Sequence, residues 1–201
     1  MLKVGITGNM GAGKSTVVTI LQKLGVPVYD SDDASKKLMN TNLFLINQIK
    51  QYFGADIYTE NGILNRSKLA EIVFANPQKL ALLNGLVHPL TIADFRNWAK
   101  NQRATYCVKE SSLLFETDAI KEVDLAVGVF APENISLQRI KARTNMDITS
   151  IKKRLQYQIN PSIKMKLCDY IIHNNGDELL LPKVLLLHKQ LSDFDFQYFM
   201  Q

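Results

Sequence analysis

The sequence predicts an α/β fold, a parallel-sheet core interrupted by a helical insertion and, later, by a basic helical segment. Three observations lead there. A short apolar, β-branched run at Leu2–Thr7 stops at a glycine-rich turn. Apolar residues then recur at Val17, Val18, Leu21 and Leu24, the spacing of an amphipathic helix. A second apolar run, Val26-Pro27-Val28-Tyr29, follows and ends at Asp30. Strand, loop, helix and strand in that order make a βαβ unit, and such a unit builds a parallel sheet.

Each element has its own justification. The first run is short, apolar and bounded by glycine, as a buried strand is. The helix over 15–24 is closed by Gly25 as its C-terminal cap. Residues 31 to about 100 read as helical without a clear strand. One helix covers 67–75 and is closed by Asn76-Pro77, and another covers 77–87 with Leu80, Leu83 and Val87 on one side. His88-Pro89 is expected to interrupt that pattern, with Pro89 in the first position of a further helix reaching Lys100. Strands return at 105–109, Leu125–Phe130 and Tyr170–His173, and between the last two lie a helix near Glu133–Arg143 and a basic helical stretch over 148–167. There is no internal repeat and no linker rich in Gly, Pro or Ser.

Composition narrows the class. A chain of 201 residues with 46% apolar content can bury a sizeable core as one domain or a core with an insertion. Twenty-four Lys and Arg against 19 Asp and Glu give a net charge of +5. Such a surplus suits nucleic acid, an anionic membrane or polyanionic small substrates, and composition alone does not choose among them. Cys107 and Cys168 stand far apart in apolar surroundings and read as free thiols of a reducing compartment. The opening residues meet glycine too soon for a secretory apolar core. No apolar run approaches the ~20 residues of a membrane span. A soluble, cytoplasmic protein is expected.

The chemistry concentrates at Gly8-Asn9-Met10-Gly11-Ala12-Gly13-Lys14-Ser15, which fits G-x-x-x-x-G-K-S/T in full. Glycines let the backbone wrap closely round phosphate oxygens, with successive N–H groups pointing inward as an anion nest. The helix that starts near Lys14 turns its positive dipole end to the same phosphates. Lys14 should reach the β- and γ-phosphates of a nucleotide, and the Ser15 hydroxyl should ligate Mg²⁺. A chance glycine-rich turn would lack the strand before and the helix after. The nucleotide-binding set is therefore Gly8, Gly11, Ala12, Gly13, Lys14, Ser15 and Thr16, and the reading is an ATP-dependent phosphotransferase.

Asp30-Ser31-Asp32 follows the second strand directly, at the end where neighbouring parallel strands also open. A carboxylate there can take a proton from an attacking hydroxyl or help hold Mg²⁺. It can equally cap the next helix. Both roles fit different members of the pair, and Asp33 adds a third candidate. Arg139 and Arg143 lie four apart on one helix face, with Arg154 further on. Arginine forks suit a transferring phosphoryl group, although a basic helix face is more often simply solvated. His88 can touch substrate or mark a helix boundary. Asn174-Asn175-Gly176 is first a turn leaving a strand. The aromatic cluster Phe194, Phe196, Tyr198 and Phe199 is given no function.

Several spaced segments together make the chain resemble the dephospho-coenzyme A kinase family from about residue 2 to 190. They are GNMGAGKST at 8–16, VYDSD at 28–32, LNRSKLAEIVFANP at 64–77, LLNGLVHPL at 82–90, LLFE at 113–116, QRIKAR at 138–143 and DYIIHNNG at 169–176. The phosphate loop is common to many families, and FANP followed by HPL and LLFE is far more specific. The resemblance implies a nucleotide-binding core (1–30, 101–138 and 168–201), a helical domain for the coenzyme A moiety (31–100) and a lid (139–167). It implies transfer of the ATP γ-phosphoryl to the ribose 3′-hydroxyl of dephospho-CoA, with Mg²⁺. Asp32 is then the base, Arg139 a transition-state clamp, Arg143 a nucleotide contact, and Arg66, Phe74 and His88 lie in or near the acceptor site. Family members often carry proline before LLFE, Ala-Asp before the last strand and Asp at its end, where this chain has Ser112, Cys168-Asp169 and His173.

Two other readings compete. A kinase for a nucleoside monophosphate or small metabolite shares the helical insertion but not FANP and HPL. A nucleotide-dependent switch or nucleic-acid ATPase suits the basic balance, yet no acidic pair closes a strand, since 105–109 leads only to Glu110. The basic residues are also not interleaved with aromatics as a single-strand platform requires. ATP and dephospho-CoA are thus the expected partners, with neither nucleic acid nor membrane, and the sequence leaves oligomeric state open.

Overall fold

The computed structural model describes residues 1–144, 151, 156 and 158–193. They divide into two compact units, one of Met1–Tyr29 with Ala99–Gln201 and one of Asp30–Trp98.

The first unit is built on a five-stranded sheet in the order β2-β3-β1-β4-β5. Its strands are β1 (Leu2–Thr7), β2 (Val28–Asp30), β3 (Tyr106–Glu110), β4 (Leu125–Phe130) and β5 (Tyr170–His173). β1 runs parallel to both neighbours, with Leu2 opposite Tyr106 and Val4 opposite Leu125, and β4 runs parallel to β5. In β1 the apolar Leu2, Val4 and Ile6 alternate with Lys3, Gly5 and Thr7; Val4 and Ile6 are wholly buried, and Lys3 alone of the six is half-buried. Helix α1 (Lys14–Lys23) buries Val17, Val18 and Leu21 in the same core, three of the four residues its spacing announced; the fourth, Leu24, is the exposed C-cap. Gly25 follows α1 at φ +84, the left-handed conformation that ends helices. A last helix, α8 (Leu180–Ser192), adds Val184, Leu187 and Leu191 to that core. Cys107 on β3 is buried and Cys168 half-buried; both thiols are free, and burial pushes each up to about 11.

The second unit is helical. It holds α2 (Ser31–Thr41), α3 (Leu43–Phe53), α4 (Arg66–Phe74) and most of α5 (Pro77–Lys100). Leu45, Ile49 and Phe53 of α3 meet Leu69 and Val73 of α4 and Val87 of α5 in one apolar core. Its single bridge of strand type joins Tyr58 and Leu64.

The expected break at His88-Pro89 does not occur. α5 is one helix of 24 residues with Pro89 inside it. Proline removes the N–H that would bond the Gly85 carbonyl, and its ring crowds that turn. Gly85 is exposed, so its carbonyl can turn to water. Val87, Thr91, Phe95 and Ala99 meanwhile form a buried stripe at four-residue spacing that crosses the proline. Packing along the stripe overrides the local preference.

The described residues also form helices α6 (Glu133–Arg143) and α7 (Pro161–Lys166). α7 starts at a proline behind Asn160, whose side chain accepts the Ser162 N–H. Of the basic stretch 148–167, residues 148–150, 152–155 and 157 lie outside the described residues, Arg154 among them, as do the four aromatics of the C-terminal cluster. Among the described residues, no helix is long and apolar enough to cross a membrane.

Candidate active site

β1 delivers the chain to Thr7, and the next turn is made of backbone pressed against other backbone. Gly8 takes φ +149, and a Cβ there would lie 2.3 Å from the Val129 carbonyl oxygen of β4. A Cβ on Gly11 would meet the Ser136 carbonyl of α6 at 2.5 Å. Gly13 is left-handed, at φ 100 and ψ 20, and caps α1; its Cβ would fall 2.2 Å from Asn174 Nδ2. Each glycine thus seats the loop on a different neighbour: β4, α6 and the turn after β5. Only glycine satisfies both the φ and the space. Lys14, the first residue of α1, folds back so that Nζ donates to the Gly8 carbonyl at 2.8 Å. The ammonium is held over the loop instead of out in solvent, with the N-terminus of a ten-residue helix beside it.

Arg139 and Asn174 close the loop's far margin. Asn174 Nδ2 donates to the Ala12 carbonyl at 2.9 Å. Arg139 donates from Nη1 to the Asn174 carbonyl at 3.1 Å and from Nη2 to Asn174 Oδ1 at 3.3 Å. A Gly13 Cβ would be 3.9 Å from Arg139 Nη1, so the guanidinium lies against the start of α1. Asn174, read from sequence as a turn residue, is therefore the joint between the arginine and the loop. Its partner Ala12 is 162 residues away, which no local pattern could announce. Arg143 is exposed in the last turn of the same helix. Ser15 and Thr16 are exposed in the first turn of α1, where a hydroxyl oxygen of Ser15 is the hard donor Mg²⁺ takes. Among the described residues no cluster of His, Cys, Asp and Glu could cage a metal by itself.

The remaining candidates belong to the helical unit. Asp30 is the N-cap of α2, its Oδ1 accepting the Asp33 N–H at 2.9 Å. Asp33 pairs with Lys36, whose hydrogen bond and charge hold the carboxyl below the usual carboxylate range, with a smaller contribution from Arg66. Asp32 is exposed in the first turn between them. Arg66 starts α4, and its influence on Asp33 shows that it lies near the head of α2. Phe74 ends α4, eight residues on and thus ~12 Å along the helix, and is 37% exposed. His88 sits in mid-α5, half-buried, and burial lowers its imidazole below the ordinary value. α2 and α5 are stitched together where Ser35 Oγ meets Thr91 Oγ1 at 3.1 Å. Asp32, Arg66 and His88 therefore stand on three helices of one core, while Phe74 stands at the opposite end of α4 from Arg66.

The family model for dephospho-CoA kinase matches residues 2–179. The chain belongs to the dephospho-CoA kinase family. Dephospho-CoA kinases of Bacteroides fragilis and Coxiella burnetii are 33% and 35% identical to it, over 92% and 94% of this chain and 91% and 96% of theirs. The solved dephospho-CoA kinase of Campylobacter jejuni superposes with a TM-score of 0.68 at 25% identity, covering 94% of this chain and 96% of its own. A shikimate kinase of Acinetobacter baumannii reaches 0.53 at 18% identity and shares the fold alone. Dephospho-CoA kinases and shikimate kinases thus bracket the chain as a P-loop kinase with a parallel five-stranded sheet.

Proposed function

We propose that this kinase transfers the γ-phosphoryl of ATP to the ribose 3′-hydroxyl of dephospho-CoA, giving coenzyme A and ADP in the last step of coenzyme A biosynthesis. The observation that carries the reaction type is the phosphate loop itself, seated on three neighbours with Lys14 folded over it and Arg139 fixed at its margin. Family membership supplies the acceptor.

Phosphoryl transfer needs positioning and charge neutralisation more than covalent help. The loop N–H groups and the α1 N-terminus bind the phosphates, Lys14 meets charge on the β- and γ-oxygens, and Arg139 stabilises the group in transit. The Ser15 hydroxyl would hold Mg²⁺, which when bound would supply further charge neutralisation for the transferred group. The acceptor oxygen bonds to γ-phosphorus as the bond to the bridging oxygen breaks, and the acceptor proton passes to a carboxylate. Asp32 takes that role, as membership of the dephospho-CoA kinase family implies for the aspartate at this position. Arg66, Phe74 and His88 contribute to an acceptor site in 31–100, and Arg143 to the nucleotide site. The enzyme works in the cytoplasm on two small polyanions, which suits its basic balance, and uses neither nucleic acid nor membrane.

A purified-protein assay with ATP and Mg²⁺ against dephospho-CoA, AMP, CMP and shikimate tests this. ADP should form with dephospho-CoA alone, and phosphorus NMR should show a new 3′-phosphomonoester. Preferred turnover of any other acceptor overturns the assignment.

A further inference from the structure

A second set of contacts reaches the phosphate loop from the residues just before α7. The Met10 N–H donates to Gln158 Oε1 at 3.3 Å, and Asn9 Nδ2 donates to the Ile159 carbonyl at 3.3 Å. One carboxylate holds those residues in turn. Glu116 Oε1 accepts the Ile159 N–H at 2.8 Å and the Lys164 ammonium at 2.7 Å. Lys164 is wholly buried and also donates to the Ser112 carbonyl at 2.9 Å. Glu116 Oε2 is buried with no hydrogen-bond partner among the described residues.

This is a poor way to gain stability. Desolvation of a buried ion pair consumes most of its Coulomb attraction, and apolar residues of similar size commonly do as well. A carboxylate with one oxygen unsatisfied is worse placed still. What the pair does secure is the position of Ile159, whose N–H is tied to Glu116 and whose C=O is tied to Asn9. A single residue thus links the buried pair to the tip of the loop.

We propose that Glu116 is a positioning residue for the nucleotide: through Gln158 and Ile159 it fixes Asn9 and Met10, so that the loop is shaped before phosphate arrives. It touches no substrate and acts only through that link. Donors fixed in advance cost no reorganisation during reaction, and a misplacement of about 1 Å costs roughly a hundredfold. The inference rests on reading Gly8–Thr16 as the ATP phosphate loop.

Two double variants of the full chain test it. Both carry Lys164→Met, so that neither strands a buried ammonium. Glu116→Gln/Lys164→Met keeps an oxygen for the Ile159 N–H, and Glu116→Leu/Lys164→Met does not. Calorimetric Kd for Mg²⁺-ATP, KM for each substrate and hydrogen exchange over residues 8–13 are measured on both. The leucine version should bind ATP roughly tenfold to a hundredfold more weakly than the glutamine version. It should also exchange faster in the loop while keeping its KM for dephospho-CoA. Gln158→Leu, which removes only the outer contact to Met10, should move the same readouts in the same direction whether or not the leucine pair folds. Equal ATP affinity in the two double variants, or an unaltered loop in Gln158→Leu, overturns the role of Glu116. A wild-type protein that binds no ATP would instead remove the phosphate-loop reading beneath it.

Discussion

The phosphate loop and the first turn of α2 both follow a strand directly, yet they are built of different materials. The loop is backbone: three glycines, each at a positive φ, each where a Cβ would strike β4, α6 or Asn174. The α2 turn is side chain: Asp30 caps, Asp33 pairs with Lys36, and Asp32 stands between them. Backbone architecture admits one residue type at each point, so its signature survives as a motif. Side-chain architecture assigns similar carboxylates, Asp30 and Asp33, to different jobs by geometry alone, and their order in sequence does not say which does what.

If that contrast is right, the loop should fail outright and the α2 turn should fail selectively. Lys14→Ala removes the charge held over the loop, and Gly13→Ala places a methyl 2.2 Å from Asn174 Nδ2 at φ +100. Each should lower turnover by at least ~10³-fold in steady-state kinetics. Near-normal turnover in either would mean that the loop is not the phosphate site.

Within the α2 turn, Asp32→Asn should lower kcat by ~10²-fold or more with little change in KM for ATP, because it keeps shape and loses basicity. Asp30→Asn and Asp33→Asn should stay within a few-fold of wild type. A fully active Asp32→Asn enzyme would leave the acceptor hydroxyl without a base in this scheme.

The cap is separable from the chemistry. Asp30→Ala should cost ~1 kcal/mol in thermal unfolding, and Asp30→Asn almost nothing, since asparagine accepts the Asp33 N–H as well as aspartate does. Equal melting of the two variants would contradict the cap.

The smallest effect concerns His88, whose imidazole is pushed down by burial. The unfolded chain binds its proton at about pH 6.5 and the folded chain only at lower pH. The stabilising contribution is therefore complete above pH 6.5 and is lost as pH falls through the folded value. Between pH 7.5 and 5, the wild-type melting temperature should fall more than that of His88→Gln. Parallel curves would show that His88 is not desolvated.

Much of this could be read locally. The five strands lie within about a residue or two of where apolar runs and glycine or proline boundaries put them, and α1 faces the core as its spacing predicted. α8 carries helical spacing at Leu180, Val184, Leu187 and Leu191, a signal that was in the sequence and passed over. α5 misled because proline chemistry is local, whereas the stripe from Val87 to Ala99 that keeps the helix continuous through Pro89 is set by what packs on it.

By itself, the sequence determined the phosphate loop, the parallel core and the helical insertion, because φ preferences, glycine space and periodicity act within a few residues. Only the tertiary structure decided that Asn174 joins Arg139 to Ala12, that Asp30 is the carboxylate accepting the Asp33 N–H as the α2 cap, and that Glu116 reaches the loop through Ile159. Those links span up to 162 residues, and a hydrogen bond needs its partners within about 3 Å. Nothing along the chain encodes that proximity; the packing of the sheet and its helices creates it.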